Sequence, residues 1–213
     1  MSNSPNLFNK IVHSTSPFLA TRSLAEIGKE NYGAKAKRPL VLFSDEQEAL
    51  EKSIWFYAHN ILPLIGEPNN IPFTIFAAKR YKINALVSEP SIAEDFLSRL
   101  EGEYEINRVA ALTLIASRFD VSQLLRFRLA GRGIRAILGT SAVGAFAEAC
   151  PEAFAKDQLV FHADGNSVFT VRNGRLFVGK FNFSFPLIDY DTRMDAREVK
   201  NCVCGNNRSF EVT

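Results

Sequence analysis

Residues 85–138 read ALVSEPSIAEDFLSRLEGEYEINRVAALTLIASRFDVSQLLRFRLAGRGIRAIL. Three short apolar runs stand out: Ala85 to Val87, Val109 to Ile115 and Ile134 to Leu138. Between them lie two segments of helical period. Pro90 or Ser91 opens the first, with Ile92, Phe96 and Leu100 on one face; Asp120 caps the second, which ends near Gly131 or Gly133. Apolar runs this short are buried strands, and strands joined by helical crossovers lie parallel in one sheet with helices packed on its faces.

The same rhythm extends towards the N-terminus. Arg38-Pro39 opens Leu40-Val41-Leu42-Phe43, a fourth buried strand. Ser44-Asp45-Glu46-Gln47 reads as a capping box, with Leu50, Ile54, Tyr57, Ala58 and Ile61 recurring at helical spacing behind it. Glu67-Pro68-Asn69-Asn70 is a turn, and Pro72 suits the first turn of a helix reaching Tyr81. A further capping box, Ser23-Leu24-Ala25-Glu26, starts a helix that runs to about Asn31 and stops at Gly33. Residues 1–20 are rich in Ser, Asn and Pro and form a loose tail.

Towards the C-terminus the rhythm changes after Cys150. Leu159–Ala163, Ser167–Arg172 and Arg175–Lys180 are short strands. Asn173-Gly174 joins the last two as a two-residue hairpin loop, in which both positions need positive φ. Phe169, Phe177, Phe181, Phe183 and Phe185 alternate with polar or small residues, a core pattern. The fold class expected is therefore α/β: a mainly parallel sheet flanked by helices, followed by a C-terminal antiparallel β section. The α/β core covers 21–149 and the antiparallel sub-region 150–213.

The chain of 213 residues is long enough to bury a core, and its 46% hydrophobic content excludes a disordered composition. A net charge of +2 with no long block of one sign gives no footprint for nucleic acid. Arg126, Arg128, Arg132 and Arg135 cluster, but a solvated helix face accounts for them. No window approaches a membrane span, and MSNSPNLFNKIVHSTSP lacks the apolar core of a secretory signal. Three cysteines, two of them in a C-x-C pair, are no disulfide framework; a reducing, cytoplasmic setting is expected.

Two groups of residues carry possible chemistry. All three cysteines fall in the last third, spaced as Cys150, eleven residues, His162, thirty-nine residues, then Cys202-x-Cys204. Three thiols and one imidazole match the donor set of a closed structural zinc site. The plainer alternative is that the thiols pack as small hydrophobes and His162 is an ordinary strand residue. Second, Ser44, Ser88, Ser117 and Thr140 follow the four strands, where open α/β sheets bind ligands. A small molecule near Glu89, Arg118 and Ser141 competes there with simple capping and turn roles. Glu46 and Glu48 have the look of carboxylates for acid–base work, but their place at a helix start favours answering the helix dipole. His13 and His59 have no partner in the sequence.

The phrases Ser23–Gly33 with Arg38–Phe43, Phe73–Pro90, and above all Phe185-Pro186-Leu187-Ile188-Asp189-Tyr190-Asp191-Thr192 followed by Cys202-Val203-Cys204-Gly205 resemble the adenylate-forming superfamily, in its phenylacetate–CoA ligase-like branch. The resemblance implies an AMP-forming acid–thiol ligase: ATP activates a carboxylate as acyl-adenylate, and a thiol then takes the acyl group. It also implies a Cys, His and C-x-C zinc pattern in this lobe.

By the same resemblance, Gly139, Thr140 and Ser141 occupy a nucleotide-binding motif, and Asp195 stands one place beyond the position of a ribose-gripping aspartate, which is Met194 here. Three departures bear on activity. The family's Ser/Thr/Gly-rich phosphate loop is replaced by Ser44-Asp45-Glu46-Gln47-Glu48, which would repel a triphosphate; Ala142 stands where a glutamate helps hold Mg²⁺; and the sequence ends at Thr213 without the family's lysine-bearing domain. The expectation is a reduced, catalytically impaired core domain holding zinc but poorly equipped for ATP, AMP or Mg²⁺. It would act by binding a small carboxylate or a protein partner, not nucleic acid or membrane. The alternative is an acid-activating subunit completed by a partner chain.

Overall fold

A computed structural model describes residues 38–101, 109–140, 142–181 and 186–213. The expected tail, the helix beginning at Ser23, and Ser141, Phe183 and Phe185 lie outside the described residues. The order of elements is β1 (Pro39–Leu42), α1 (Glu46–Ala58), β2 (Leu64–Ile65), a 3₁₀ turn (Pro68–Asn70), α2 (Ile71–Tyr81), β3 (Ala85–Ser88), α3 (Pro90–Glu101), β4 (Ala111–Ala116), α4 (Val121–Leu129) and β5 (Gly133–Thr140). Then come β6 (Gly144–Ala149), the short α5 (Pro151–Phe154), β7 (Phe161–Ala163), β8 (Ser167–Arg172), β9 (Arg175–Phe181), β10 (Pro186–Val199) and β11 (Ser209–Val212).

The eleven strands among the described residues form one sheet in the order β2-β1-β3-β4-β5-β6-β7-β11-β10-β9-β8. The β2-β1-β3-β4-β5 half is parallel throughout. Every pairing from β5 to β8 is antiparallel. The apolar runs explain the parallel half, because a strand covered on both faces needs no polar positions. Alternate residues of β1 go to opposite sides: Leu40 and Leu42 join a core made with Ile75, Phe96 and Leu124 of α2, α3 and α4. Val41 and Phe43 join another made with Trp55 and Phe56 of α1. Antiparallel pairing begins with β6, ahead of Cys150.

Local chemistry sets the ends of the elements. Asp45, and not Ser44, caps α1, its carboxylate accepting from the Gln47 amide at 2.9 Å. Asp120 caps α4 as expected, through the Ser122 amide at 2.8 Å. The arginine cluster is only in part a solvated face: the exposed Arg126 pairs with Glu94 of α3 at 2.7 Å, Arg128 reaches Asp157 at 2.5 Å, and Arg135 grips both oxygens of Glu148 at 2.6 Å. These pairs tie α4 and β5 to their neighbours. His59 also gains a partner, stacking on Trp55 with ring centroids 4.2 Å apart.

The hairpin between β8 and β9 turns on Asn173 (φ 51) and Gly174 (φ 77), the primed geometry that the dipeptide announces. A side chain at Gly174 would meet nothing within 4 Å, so only the positive φ is at stake. Gly174→Ala is therefore expected to lower stability by about 1 kcal/mol, read from urea unfolding, without altering the fold. A loss several times larger would mean that the turn also bears packing.

Candidate metal centre and strand-end cleft

The antiparallel half closes on its own core, in which Phe146, Phe161, Leu176, Val178 and Phe210 are buried. Beside it lies a smaller cluster of Cys150, Ala153, Val160 and Cys202. Cys150 sits where β6 runs into α5. Its amide donates to the Val160 carbonyl at 2.7 Å, and its sulfur accepts from the Ala153 amide at 3.5 Å. His162 is the middle residue of β7. Cys202 and Cys204 lie in the loop between β10 and β11. That loop is folded back by the Gly205 amide bonding the Cys202 carbonyl at 2.8 Å, with Gly205 at φ 84.

These pieces bring the three sulfurs and an imidazole nitrogen within 4.8 Å of one another. His162 Nε2 is 3.3 Å from Cys204 Sγ, while Nδ1 faces the Ser209 hydroxyl at 3.2 Å and the Arg208 carbonyl at 3.5 Å. A hydrogen bond from Nδ1–H to that carbonyl leaves the Nε2 lone pair pointing at the thiols, which is how a metal-ligating histidine is usually oriented. The donor set fits zinc on distance as well as type. Zn–S bonds of about 2.3 Å in a tetrahedron place sulfurs roughly 3.8 Å apart, inside the observed spread. Four protein donors leave no open position, so a zinc held there would supply a cross-link and no reaction chemistry.

Burial pushes the Cys150 thiol up to about 12, and contacts with the Cys202 and Cys204 sulfurs push the same way. For Cys202 burial is again the largest single influence and acts upwards. The Cys204 and Val203 amides and the neighbouring thiols outweigh it, and its pKa falls below the ordinary value.

The second location is the carboxyl end of the parallel strands. An open cleft of ≈ 680 Å³ there is lined by Glu89, Ser117, Arg118, Phe119 and Gln123 among others. Arg118 is exposed and has no ion-pair partner among the described residues. Ser88 is wholly buried and donates to the Leu42 carbonyl at 2.6 Å, so it braces two strands and faces no ligand. The Ser44 amide donates to the Glu89 carboxylate at 2.9 Å.

Burial raises the Glu48 carboxyl above the ordinary range, against the pull of Lys52 and with the charges of Glu89 and Asp45 adding to the rise. Helix-dipole compensation alone thus misdescribes Glu48. A raised carboxyl pKa means that the folded chain binds the proton more tightly than the unfolded one. Its stabilising contribution is present below the unfolded pKa and is lost as pH rises through the folded value. Glu48→Gln is accordingly expected to raise the unfolding midpoint at neutral pH and to leave it nearly unchanged at pH 4. A gain of equal size at both pH values would trace the effect to packing.

Of the residues assigned to nucleotide binding by resemblance, Gly139, Thr140 and Asp195 are described, and they lie on two strands that are not neighbours in the sheet. Gly139 and Thr140 end β5, and Thr140 Oγ accepts from the Val143 amide at 3.1 Å, closing the turn into β6. A Cβ on Gly139 would lie 3.1 Å from the Gly144 carbonyl, so close strand approach already accounts for this glycine. Asp195 lies on β10, opposite Arg175, with three strands between β5 and β10 in the sheet order. Met194 is buried in the lobe core.

No protein-family model matches this chain, and no curated protein matches it. Solved structures do. The fold is similar to 2-hydroxyisobutyryl-CoA ligase in complex with 2-HIB-AMP, with a TM-score of 0.60 and 11% identity over 86% of this chain and 43% of that one. It is similar to coronafacic acid ligase from Pectobacterium brasiliense (TM-score 0.57, 12% identity, 89% of this chain and 41% of that). It is also similar to an acyl-CoA synthetase (AMP-forming)/AMP-acid ligase II-like protein from Dyadobacter fermentans (TM-score 0.58, 12% identity, 89% and 52%). The chain thus spans about half, or less, of the length of these proteins. At such identity the likeness is one of fold: a mixed sheet with parallel strands flanked by helices and antiparallel strands after them. Among the described residues no helix is long and apolar enough to cross a membrane.

Proposed function

We propose that this chain is an adenylate-forming-like core domain, of phenylacetate–CoA ligase-like descent, that is impaired in triphosphate handling and acts as a binding protein in a reducing compartment. The observation that carries this reading is the meeting of Asp45, Glu48 and Glu89 at the ends of β1 and β3. Each raises the energy of anionic groups placed beside it, and burial already keeps Glu48 reluctant to ionise. A triphosphate needs the opposite field there. Ala142, which offers no metal ligand, supports the same view. In this reading Cys150, His162, Cys202 and Cys204 hold zinc as a structural clamp.

Calorimetric titration with Mg·ATP and ATP–pyrophosphate exchange with a panel of aryl acids test the reading. The expected result is no saturable nucleotide binding and no exchange by the chain alone. Exchange by the chain alone would overturn it. Arg118, without an ion-pair partner among the described residues and beside Phe119 in the strand-end cleft, favours a second reading, in which the chain supplies the acid pocket and another chain the phosphate loop and lysine. Exchange arising only when such a partner is added would select it.

A further inference from the structure

A separate cleft of ≈ 330 Å³ lies in the antiparallel half, between the start of β8 and the loop joining β10 to β11. Its lining combines the apolar residues Val168, Phe169 and Val199 with Lys200, Asn207 and Arg208. Three observations make it more than a surface dent.

Ser167 lines the cleft and is 8% exposed, yet its hydroxyl is buried with no hydrogen-bond partner among the described residues. An orphaned buried hydroxyl in a native fold calls for an unseen partner. Next, neither Lys200 nor Arg208 has an ion pair among the described residues, in a lobe where Arg172, Arg175 and Arg197 all do. The nearby Asp164 carboxylate is turned to the Asn166 amide at 3.0 Å. Lastly, Glu198 is the one carboxylate in the lining, so the two cations leave the cleft net positive.

We propose that this cleft binds a small organic anion, one anionic head group on a flat apolar body. Lys200, Arg208 and Asn207 meet the head, the body lies on Phe169 and Val199, and an oxygen of the ligand completes the Ser167 hydroxyl. Charge-assisted hydrogen bonds supply orientation and the apolar residues supply area, the usual division in small-molecule sites. The site is independent of the strand-end cleft and of any nucleotide chemistry there.

The test is an amide-resolved NMR titration of the full chain, zinc supplied, with benzoate and with phenyl phosphate. Saturable shifts are expected at Ser167, Val168, Asn207 and Arg208. Lys200→Ala combined with Arg208→Ala should weaken binding at least about tenfold. Ser167→Ala should weaken it about fivefold while leaving the thermal midpoint equal or higher, since it deletes a hydroxyl that the free chain leaves unpaired. Binding of one probe alone names its head group, carboxylate or phosphate ester, as the class. Shifts confined to residues 117–123, an unchanged affinity in the double variant, or no saturable binding of either probe would overturn the proposal.

Discussion

Protein purified without added metal is expected to carry close to one equivalent of zinc, and Cys202→Ser to reduce it to a small fraction. The effect on stability should be large. A ligand present at about a thousand times its dissociation constant stabilises the folded state by about 4 kcal/mol. At this chain length each kcal/mol moves Tm by about 2–4 °C, so stripping the metal should lower Tm by roughly 10 °C. Chelator sensitivity is the decisive readout. If the thiols were merely small buried hydrophobes, Cys202→Ser would still destabilise, but wild type and variant would respond alike to EDTA. If the four donors grip a metal, wild type falls on chelation and the variant does not respond. Cys204 gives a cleaner second case: it is exposed, so Cys204→Ser removes a ligand while disturbing little packing.

The second large effect concerns Phe210, fully buried at the middle of β11. Its ring lies 4.6 Å from that of Phe169 and 6.0 Å from that of Phe161, so one side chain joins β11 to β8 and β7. Phe210→Ala should cost about 3–5 kcal/mol, the usual range for emptying a buried aromatic site. The loss should appear in chemical unfolding as a lower midpoint. Because Ser209 holds His162 Nδ1, the same substitution should also weaken zinc retention in a chelator competition. A loss under about 1 kcal/mol would mean that the three rings do not form a shared core.

The parallel half was legible because its strands are buried on both faces, so composition alone marks Leu40–Phe43 and Val109–Ile115. The meeting of three thiols and a histidine was legible by residue type, as thiols are scarce and all collect in one lobe with His162. What escaped did so for physical reasons. Gly144–Ala149 reads GAFAEA, mostly small residues with no β-branching, and is a strand through its pairing with β5 and β7. Pro186–Val199 carries six charged residues and bends through Asp189 and Arg193 at positive φ; charged and uncharged positions alternate from Asp189 to Arg197, but with no apolar run to mark a strand. Leu64–Ile65 is too short to register. The cap of α1 moved by one residue because Asp45 competes with Ser44. The cleft at Ser167 is invisible in sequence, since its walls come from residues about thirty to forty positions apart.

The position of β11 has a kinetic consequence. It fits between β7 and β10, although the whole β8–β9 hairpin intervenes in sequence. The hairpin needs only its Asn-Gly turn and should form within microseconds. The slot for β11 exists only after β10 has docked on that hairpin, and filling it joins Phe210 to Phe161, forty-nine residues away. Closing so long a loop delays the reward in contacts, which makes insertion of this strand the natural rate-limiting step of lobe assembly. Until it happens, β7 and β10 present open edges to any other chain, so the refolding lobe should be most prone to aggregate in that interval.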